Sequence, residues 1–542
     1  MEQKKSTYAI VLVAMLLGVL IGLMTAPNLA RMGVGATSRE SQLAETVEAF
    51  VREVKEKYVD TIDIDSDSLT GLMMTAMLGQ LDPHSYYITA HDAEENEEKL
   101  YSNFEGIGIG MFYYGDTVYV DEVFADGPAE RAGLLPGDRI VRVDTLEVTG
   151  KGLTKQEHGL AAYIRGPRGT FVEIGVQRGA GDEEKSFRVK RDVIFRPTVM
   201  AGLMLDKTTG YIRISSFSFT TGYEMHKTLA KLLRQGMKSL ILDLRDNSGG
   251  SLESAIEVAQ EFLPAKDKIL YTEGAHQPRR NFFADGKGLF VEGRMAVLID
   301  EGSASASEIV AGSVQDNDRG LVVGRRSFGK GLVQTMLEMP GGASLSLTTA
   351  RYYTPSGRCI QRPYKKGTEE YYSDHLLRML VVDSVADRLQ LNTTDTTLVF
   401  YTKQGRKVYG GGGIQPDTVL AYETGGNWKY YNEVVRAHVI TECAIDYLHR
   451  HSLALKERYA DVEAFVKGYT PEGDCLQTLL KRADAKGIAR DPKGIAQHGQ
   501  EMVQLFKAHL AQSLYGEDAY YRVTMTYDRE LQRTRKIINQ NR

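Results

Sequence analysis

At 542 residues the chain is too long for one ordinary domain, and three or four folding units are expected. Charged residues make up 25% and hydrophobic ones 42%, a globular balance, and the net charge of -5 gives no basis for nucleic-acid binding. Cys359, Cys443 and Cys475 are scattered, with neither metal-ligand spacing nor a disulfide framework.

Lys4 and Lys5 precede Thr7 to Ala26, 20 residues without a charge. A helix there is about 30 Å long, enough to cross a bilayer core. A cleavable signal peptide is the rival reading, but Pro27 follows Ala26 and no clean A-x-A site is present. Residues 1–30 are therefore read as an anchor or signal, and the uncleaved anchor is preferred. The lysines then stay cytoplasmic and the rest of the chain lies on the extracytoplasmic, periplasmic side.

Residues 40–103 read as a helical region. Leu43, Val47, Phe50, Val51, Val54 and Tyr58 recur at helical spacing, and a second helix is expected from Leu69 to Leu78. LDPHSYYIT (Leu81 to Thr89) breaks it, and an acidic helix follows to about Tyr101. His84 sits in that turn as a lone histidine, for which a structural role is expected.

Residues 104–191 read as a small β-rich domain. FEGIGIGM, a GPAERAGL helix and a PGD turn before an apolar strand resemble a PDZ domain. That resemblance implies β-augmentation, in which an extended peptide adds to a sheet edge and backbone amides hold its terminal carboxylate. Glycine lets such a loop approach the carboxylate, which makes Gly106, Ile107, Gly108 and Ile109 the candidates. Arg165 and Arg168, in RGPRGT, are either solvated loop arginines or, for Arg165, a contact that senses groove occupancy.

Residues 192–425 form the next unit. GYIRISSF (Gly210 to Phe217) alternates like a strand, a helix covers Thr221 to Arg234, and SLILDLR (Ser239 to Arg245) is an apolar strand. It ends in DNSGGSLES, a glycine turn into a helix whose first amides favour an anion. MAVLI (Met295 to Ile299) is a further buried strand, and Ser303, Ser305 and Ser307 stand where it turns into a helix. A serine so placed is exposed and faces unpaired amides, yet it needs a base. No histidine lies between His276 and His375. Lys330 in FGKG is the nearby candidate, flanked by Phe328, Leu332 and Val333. An ordinary lysine is neutral in roughly one molecule in 2,500 at pH 7, so burial among apolar groups is required.

SASASEI, followed 25 positions after Ser305 by the lysine of FGKGLVQ, resembles the carboxyl-terminal processing (tail-specific) proteases. The resemblance implies Ser305 as nucleophile, Lys330 as general base and Gln334 as the residue that orients the lysine. It implies an oxyanion hole from the Ala306 amide together with Gly249 or Gly250. It also implies an α/β fold, with a crotonase/ClpP-like spiral ββα catalytic core, an inserted PDZ β-domain and helical N- and C-terminal parts. The LDPHS turn is also familiar ahead of the regulatory domain in that family.

Leu332 to Met339 and Ala343 to Ala350 are expected to pair as a hairpin, and TPSGRCIQ also fits the family. Residues 363–401 look like an insertion with a helix near His375 to Leu389. The glycine run in GRKVYGGGGIQPD lacks the lysine-serine pair of a phosphate loop. Residues 430–542 are helical and outside the family pattern, open to packing, tethering or oligomerisation.

The expectation is an exported, PDZ-gated serine endopeptidase acting on unfolded proteins or exposed C-termini, without metal or cofactor. A noncatalytic PDZ adaptor on a protease-like scaffold is the alternative, and an acyl-CoA enzyme of crotonase type a third reading. A homo-oligomer or an adaptor protein as partner stays open.

Overall fold

The computed structural model of the chain describes residues 39–61, 67–114, 116–148, 159–179, 183–365, 367–379, 397–420 and 427–540. The expected anchor at 7–26 lies outside them, as does the part of the expected 375–389 helix beyond Met379. Among the described residues no helix is long and apolar enough to cross a membrane. The chain divides into two units, Met1–Met77 and Leu78–Arg542.

The first unit holds α1 (Arg39–Lys57) and most of α2 (Asp67–Leu78). Leu43, Val47 and Phe50, on the apolar stripe of α1, are exposed.

The second unit opens with the LDPHS turn, β1 (Tyr86–Ile88) and α3 (Ala90–Tyr101), which Thr89 caps by accepting from the Asp92 amide. β2 (Asn103–Gly106) leads into β3 (Ile109–Tyr114), β4 (Thr117–Val123), α4 (Pro128–Ala132), β5 (Arg139–Val143), β6 (Leu146–Glu147), α5 (Ala161–Ile164), β7 (Phe171–Gln177) and β8 (Glu184–Lys190). The sheet order is β3-β4-β5-β7-β8, with β6 on β5, around a core that includes Ile107, Val120, Ile140 and Ile174. β9 (Asp192–Phe195) pairs antiparallel with β2, so entry and exit strands form a neck to this PDZ-like domain.

The central α/β core follows as β10 (Val199–Met204), β11 (Thr209–Ile214), α6 (Thr221–Arg234), β12 (Ser239–Asp243), α7 (Leu252–Gln260), β13 (Lys268–Gly274), β14 (Gln277–Phe283), β15 (Arg294–Ile299), α8 (Ala306–Asp316), β16 (Leu321–Gly324), β17 (Leu332–Glu338), β18 (Ser344–Tyr353), α9 (Thr368–Met379), β19 (Val399–Tyr401), β20 (Lys407–Tyr409) and β21 (Thr418–Val419). One sheet runs β10-β11-β12-β15-β16-β21, parallel except for the β10–β11 pair. A second, antiparallel sheet runs β1-β18-β13-β14, with β17 hairpinned onto β18 as the sequence predicts.

The helical C-terminal part comprises α10 (Lys429–Arg436), α11 (Val439–Arg458), α12 (Val462–Gly468), α13 (Cys475–Ala485), α14 (Pro492–Tyr515), α15 (Glu517–Thr524) and α16 (Arg529–Gln540). Successive side chains of a strand face opposite ways, so an unbroken apolar strand needs cover on both faces. Ile212, Leu240, Leu242, Val297 and Ile299 face a core shared with Met225, Ala255 and Val310 of α6, α7 and α8. Tyr211, Ile241, Ala296, Leu298 and Val323 face the other way, against Leu531 and Ile538 of α16 and Tyr521 of α15. The C-terminal helices thus cover the second face of this sheet, so packing is one role they fill.

These helices also hold the PDZ-like domain. The His449 Nδ1–H donates to the Gly137 carbonyl at 2.8 Å, Arg482 Nη1 donates to the Tyr114 hydroxyl at 2.6 Å, and the His438 ring stands edge-on to Phe112.

Candidate active site

β15 delivers the chain to Asp300, where it turns sharply into α8. Ser305, the residue before that helix, adopts φ 53° and ψ -111°, a left-handed backbone that a non-glycine residue holds only where its surroundings impose it. Its neighbours impose it by hydrogen bonds. Ser303 Oγ donates to the Leu244 carbonyl at 2.7 Å and Ser307 Oγ to the Asn247 carbonyl at 2.8 Å, both fully buried. Tyr352 Oη donates to the Ser305 carbonyl at 3.2 Å. The outer two serines of SASAS are therefore occupied as structural ties, which leaves Ser305 as the candidate among the three.

The glycine turn after β12 lies directly against it. A Cβ at Gly249 would stand 2.8 Å from Ser305 Cβ and 3.0 Å from the Ala306 nitrogen, and φ there is +102°, so only glycine fits. Asn247 locks this turn to the serine turn: its carbonyl accepts from the Ala304 amide and its Oδ1 from the Gly249 amide, each at 2.9 Å. Among the described residues the amides of Gly250 and Ala306 donate no hydrogen bond, whereas that of Gly249 is taken by Asn247.

Glu308, wholly buried, is the residue that sequence reasoning missed. Its Oε2 accepts from the Ser305 amide at 2.8 Å and the Lys330 amide at 2.9 Å, and its Oε1 from the Gly329 amide at 2.7 Å and from Ser327 Oγ. Burial raises its pKa against the pull of these donors. The signal was present in S-x-x-E at the start of α8, the capping-box pattern, here extended to a distant loop.

Lys330 is largely buried, and that burial lowers its pKa, opposed by the carboxylates of Glu308 and Asp82. The Gln361 side chain holds the next amide, Gly331, at 2.8 Å. Among the described residues no hydrogen bond joins Lys330 Nζ to Ser305 Oγ, and Gln334 does not reach the lysine: its Nε2 donates to Thr348 Oγ1 at 3.2 Å. Thr348 in turn donates to Asp82 Oδ1 at 3.1 Å, so the LDPHS turn is stitched to the strand pair that carries Gln334.

His84, read from the sequence as a lone histidine, packs against the lysine loop and meets a partner far along the chain. Its Nε2 meets the Tyr371 hydroxyl at 3.0 Å and its ring stands edge-on to Phe328. Burial and the Lys330 charge lower its pKa to about 4, so it stays neutral.

In the PDZ-like domain β3 is an edge strand that pairs with β4 alone. Gly106 and Ile109 belong to the flanking strands, and the amides of Ile107 and Gly108 between them donate no hydrogen bond among the described residues. Arg165 is not at the serine site. It pairs with Glu98 of α3, Nη1 to Oε1 and Oε2 at 3.1 and 2.9 Å, and lies over the Phe104 ring at 5.0 Å. No His, Cys, Asp or Glu cluster able to hold a metal occurs among the described residues.

Residues 208–370 match the model of peptidase family S41, residues 119–178 that of a PDZ domain, and residues 430–516 a family of unknown function, DUF8443. A carboxy-terminal-processing protease of Bartonella bacilliformis is 36% identical over 325 residues, 59% of this chain and 73% of that protein. The carboxy-terminal processing protease CtpA of Bacillus subtilis is 31% identical over 369 residues, 68% of this chain and 76% of that one. Among solved structures, the photosystem II D1 C-terminal processing protease is 28% identical, covering 58% of this chain and 89% of its own, at a TM-score of 0.33.

Proposed function

The chain belongs to the carboxy-terminal processing proteases of peptidase family S41, and from that premise we propose that it is an exported endopeptidase, gated by its PDZ domain, that cuts proteins presenting a free C-terminus. The observation that carries the reading is the Glu308 carboxylate, which binds the backbone of nucleophile and base together.

In this reading Ser305 Oγ attacks the scissile carbonyl carbon and its proton passes to neutral Lys330 Nζ. The oxyanion is held by the Ala306 amide and by the glycine turn, where the Gly250 amide is the one not already engaged. Removal of one such donor typically costs ~2.7–4 kcal/mol of transition-state stabilisation. Collapse expels the amine with the lysine's proton and leaves an ester on Ser305. Water, deprotonated by Lys330, then hydrolyses that ester. A substrate C-terminus adds to β3 with its carboxylate on the Ile107 and Gly108 amides.

The structure corresponds in this reading to a resting state: Gln334 is turned to Thr348, Arg165 to Glu98, and the serine-lysine bond is open. Binding at β3 is proposed to release Arg165 toward the catalytic core and close that bond. The N-terminal anchor and the periplasmic location belong to the same proposal and rest on residues 4–26 alone.

The test is incubation of the full chain, in detergent micelles, with an unfolded protein ending in apolar residues. Fragments are expected from wild type and none from Ser305→Ala or Lys330→Ala. Cleavage by either variant near the wild-type rate would refute the dyad.

A further inference from the structure

The C-terminal helices do more to the site than cover its sheet. Arg245 leaves β12 immediately ahead of the Asp246–Gly250 turn, and its side chain is nearly buried. It donates to Asp243 Oδ2 and Asp528 Oδ2 at 2.6 Å each and to Glu530 Oε2 at 2.9 Å. Arg325 follows β16 five residues before Lys330; its Nε donates to Glu301 Oε2 at 2.9 Å and its Nη1 to Glu530 Oε1. Asp300 closes the ring, since its Oδ1 accepts from the Asp246 and Gly302 amides at 2.8 and 3.0 Å. The glycine turn, the serine turn and the lysine loop thus share one ion network. The two oxygens of Glu530, on the last helix of a region of unassigned function, bridge the first and the third.

We propose that Glu530 is a positioning residue for peptide hydrolysis, holding the oxyanion turn and the lysine loop in register through Arg245 and Arg325. The inference rests on the serine-lysine reading of the site. The energetics favour a bridge over a mere anchor. Without Glu530, Arg245 keeps Asp243 and Asp528, and Arg325 keeps Glu301, so no arginine loses its last counter-charge. The large penalty of an unpaired buried charge is avoided. What is lost is the tie between two loops whose relative placement sets catalytic geometry, and a displacement near 1 Å there can lower a rate about 100-fold.

The test measures kcat and KM on a short reporter peptide with the full-length protein, beside its melting temperature. Glu530→Gln is expected to lower kcat about 10- to 100-fold, with KM within about twofold and melting nearly unchanged. Glu530→Asp, which keeps the charge, is expected to recover part of kcat. Arg535→Gln is the control, because it cuts the pairing of α16 with Asp206, away from the three loops, and is expected to leave kcat alone. Wild-type kcat in Glu530→Gln, or an equal loss in Arg535→Gln, would overturn the proposal while leaving the protease reading in place. Absence of any Ser305-dependent cleavage by wild type would instead remove the protease reading, and with it the reaction that Glu530 is said to serve.

Discussion

The amides of Ser305 and Lys330 donate to the same oxygen of Glu308, at 2.8 and 2.9 Å, so the proposed nucleophile and base share one buried acceptor although 25 residues separate them. Glu308→Gln should therefore act twice. An amide presents one acceptor oxygen where the carboxylate presents two, which leaves part of the Ser327–Lys330 loop without an acceptor and costs about 1–3 kcal/mol of stability. It also removes a negative charge that raises the Lys330 pKa, so the acid limb of the pH–rate profile should move to lower pH. Chemical denaturation and the rate profile measure the two effects separately; a limb that stays put or moves upward would show that Lys330 does not set it.

As the proposed general base Lys330 must be neutral, and burial lowers its pKa below the ordinary lysine value. Rate should accordingly rise with pH through a single ionisation below pH ~10.4. Lys330→Arg keeps the charge but cannot lose its proton, so activity should fall by at least about 1,000-fold with PDZ-ligand affinity intact. A flat profile between pH 6 and 9, each taken as roughly the working range, would argue against a lysine base.

His84 makes a prediction about stability. Its pKa falls from 6.5 to about 4 on folding, so the unfolded chain binds the extra proton first. The contribution is complete above pH 6.5 and is lost as pH falls from 6.5 toward 4, up to ~3 kcal/mol by linkage. His84→Phe keeps the ring against Phe328 and Tyr371 and should flatten that part of the stability curve. An unchanged slope between the two pH values would place the acid sensitivity elsewhere.

Much of this was legible because short-range patterns carried it. SLILDL and MAVLI announced buried strands, α6 falls on the expected Thr221 to Arg234, and the PGD and GIGIG turns marked the PDZ fold. What stayed hidden depends on partners far apart in the chain. Nothing near Ile241 or Leu298 says that Leu531 will cover them, and nothing near His84 says that Tyr371 will meet it. Gln334 shows the other limit. A motif supplies the residue and its position, but whether its amide turns to Lys330 or to Thr348 is decided by the Asp82 turn behind it.

The pairing of Arg165 with Glu98 gives the proposed gate a measurable handle. If Arg165 must leave α3 before it can act on the catalytic core, the two bonds to Glu98 oppose activation. Both side chains are partly exposed, so the pair contributes about 0.2–1 kcal/mol. Glu98→Gln should then raise the basal rate on a short reporter peptide by about 1.5- to 5-fold without a PDZ ligand. A peptide ending in a free carboxylate should stimulate wild type, and its C-terminal amide should stimulate far less, since it lacks the charge for the Ile107 and Gly108 amides. Arg165→Ala should bind the acid peptide normally but lose the stimulation. If Arg165→Ala is stimulated as wild type is, and Glu98→Gln leaves the basal rate unchanged, then Arg165 is a structural partner of Phe104 and Glu98, and the signal from the groove leaves the PDZ domain by another surface. The contacts of Tyr114 with Arg482 and of Phe112 with His438 would be the next to test.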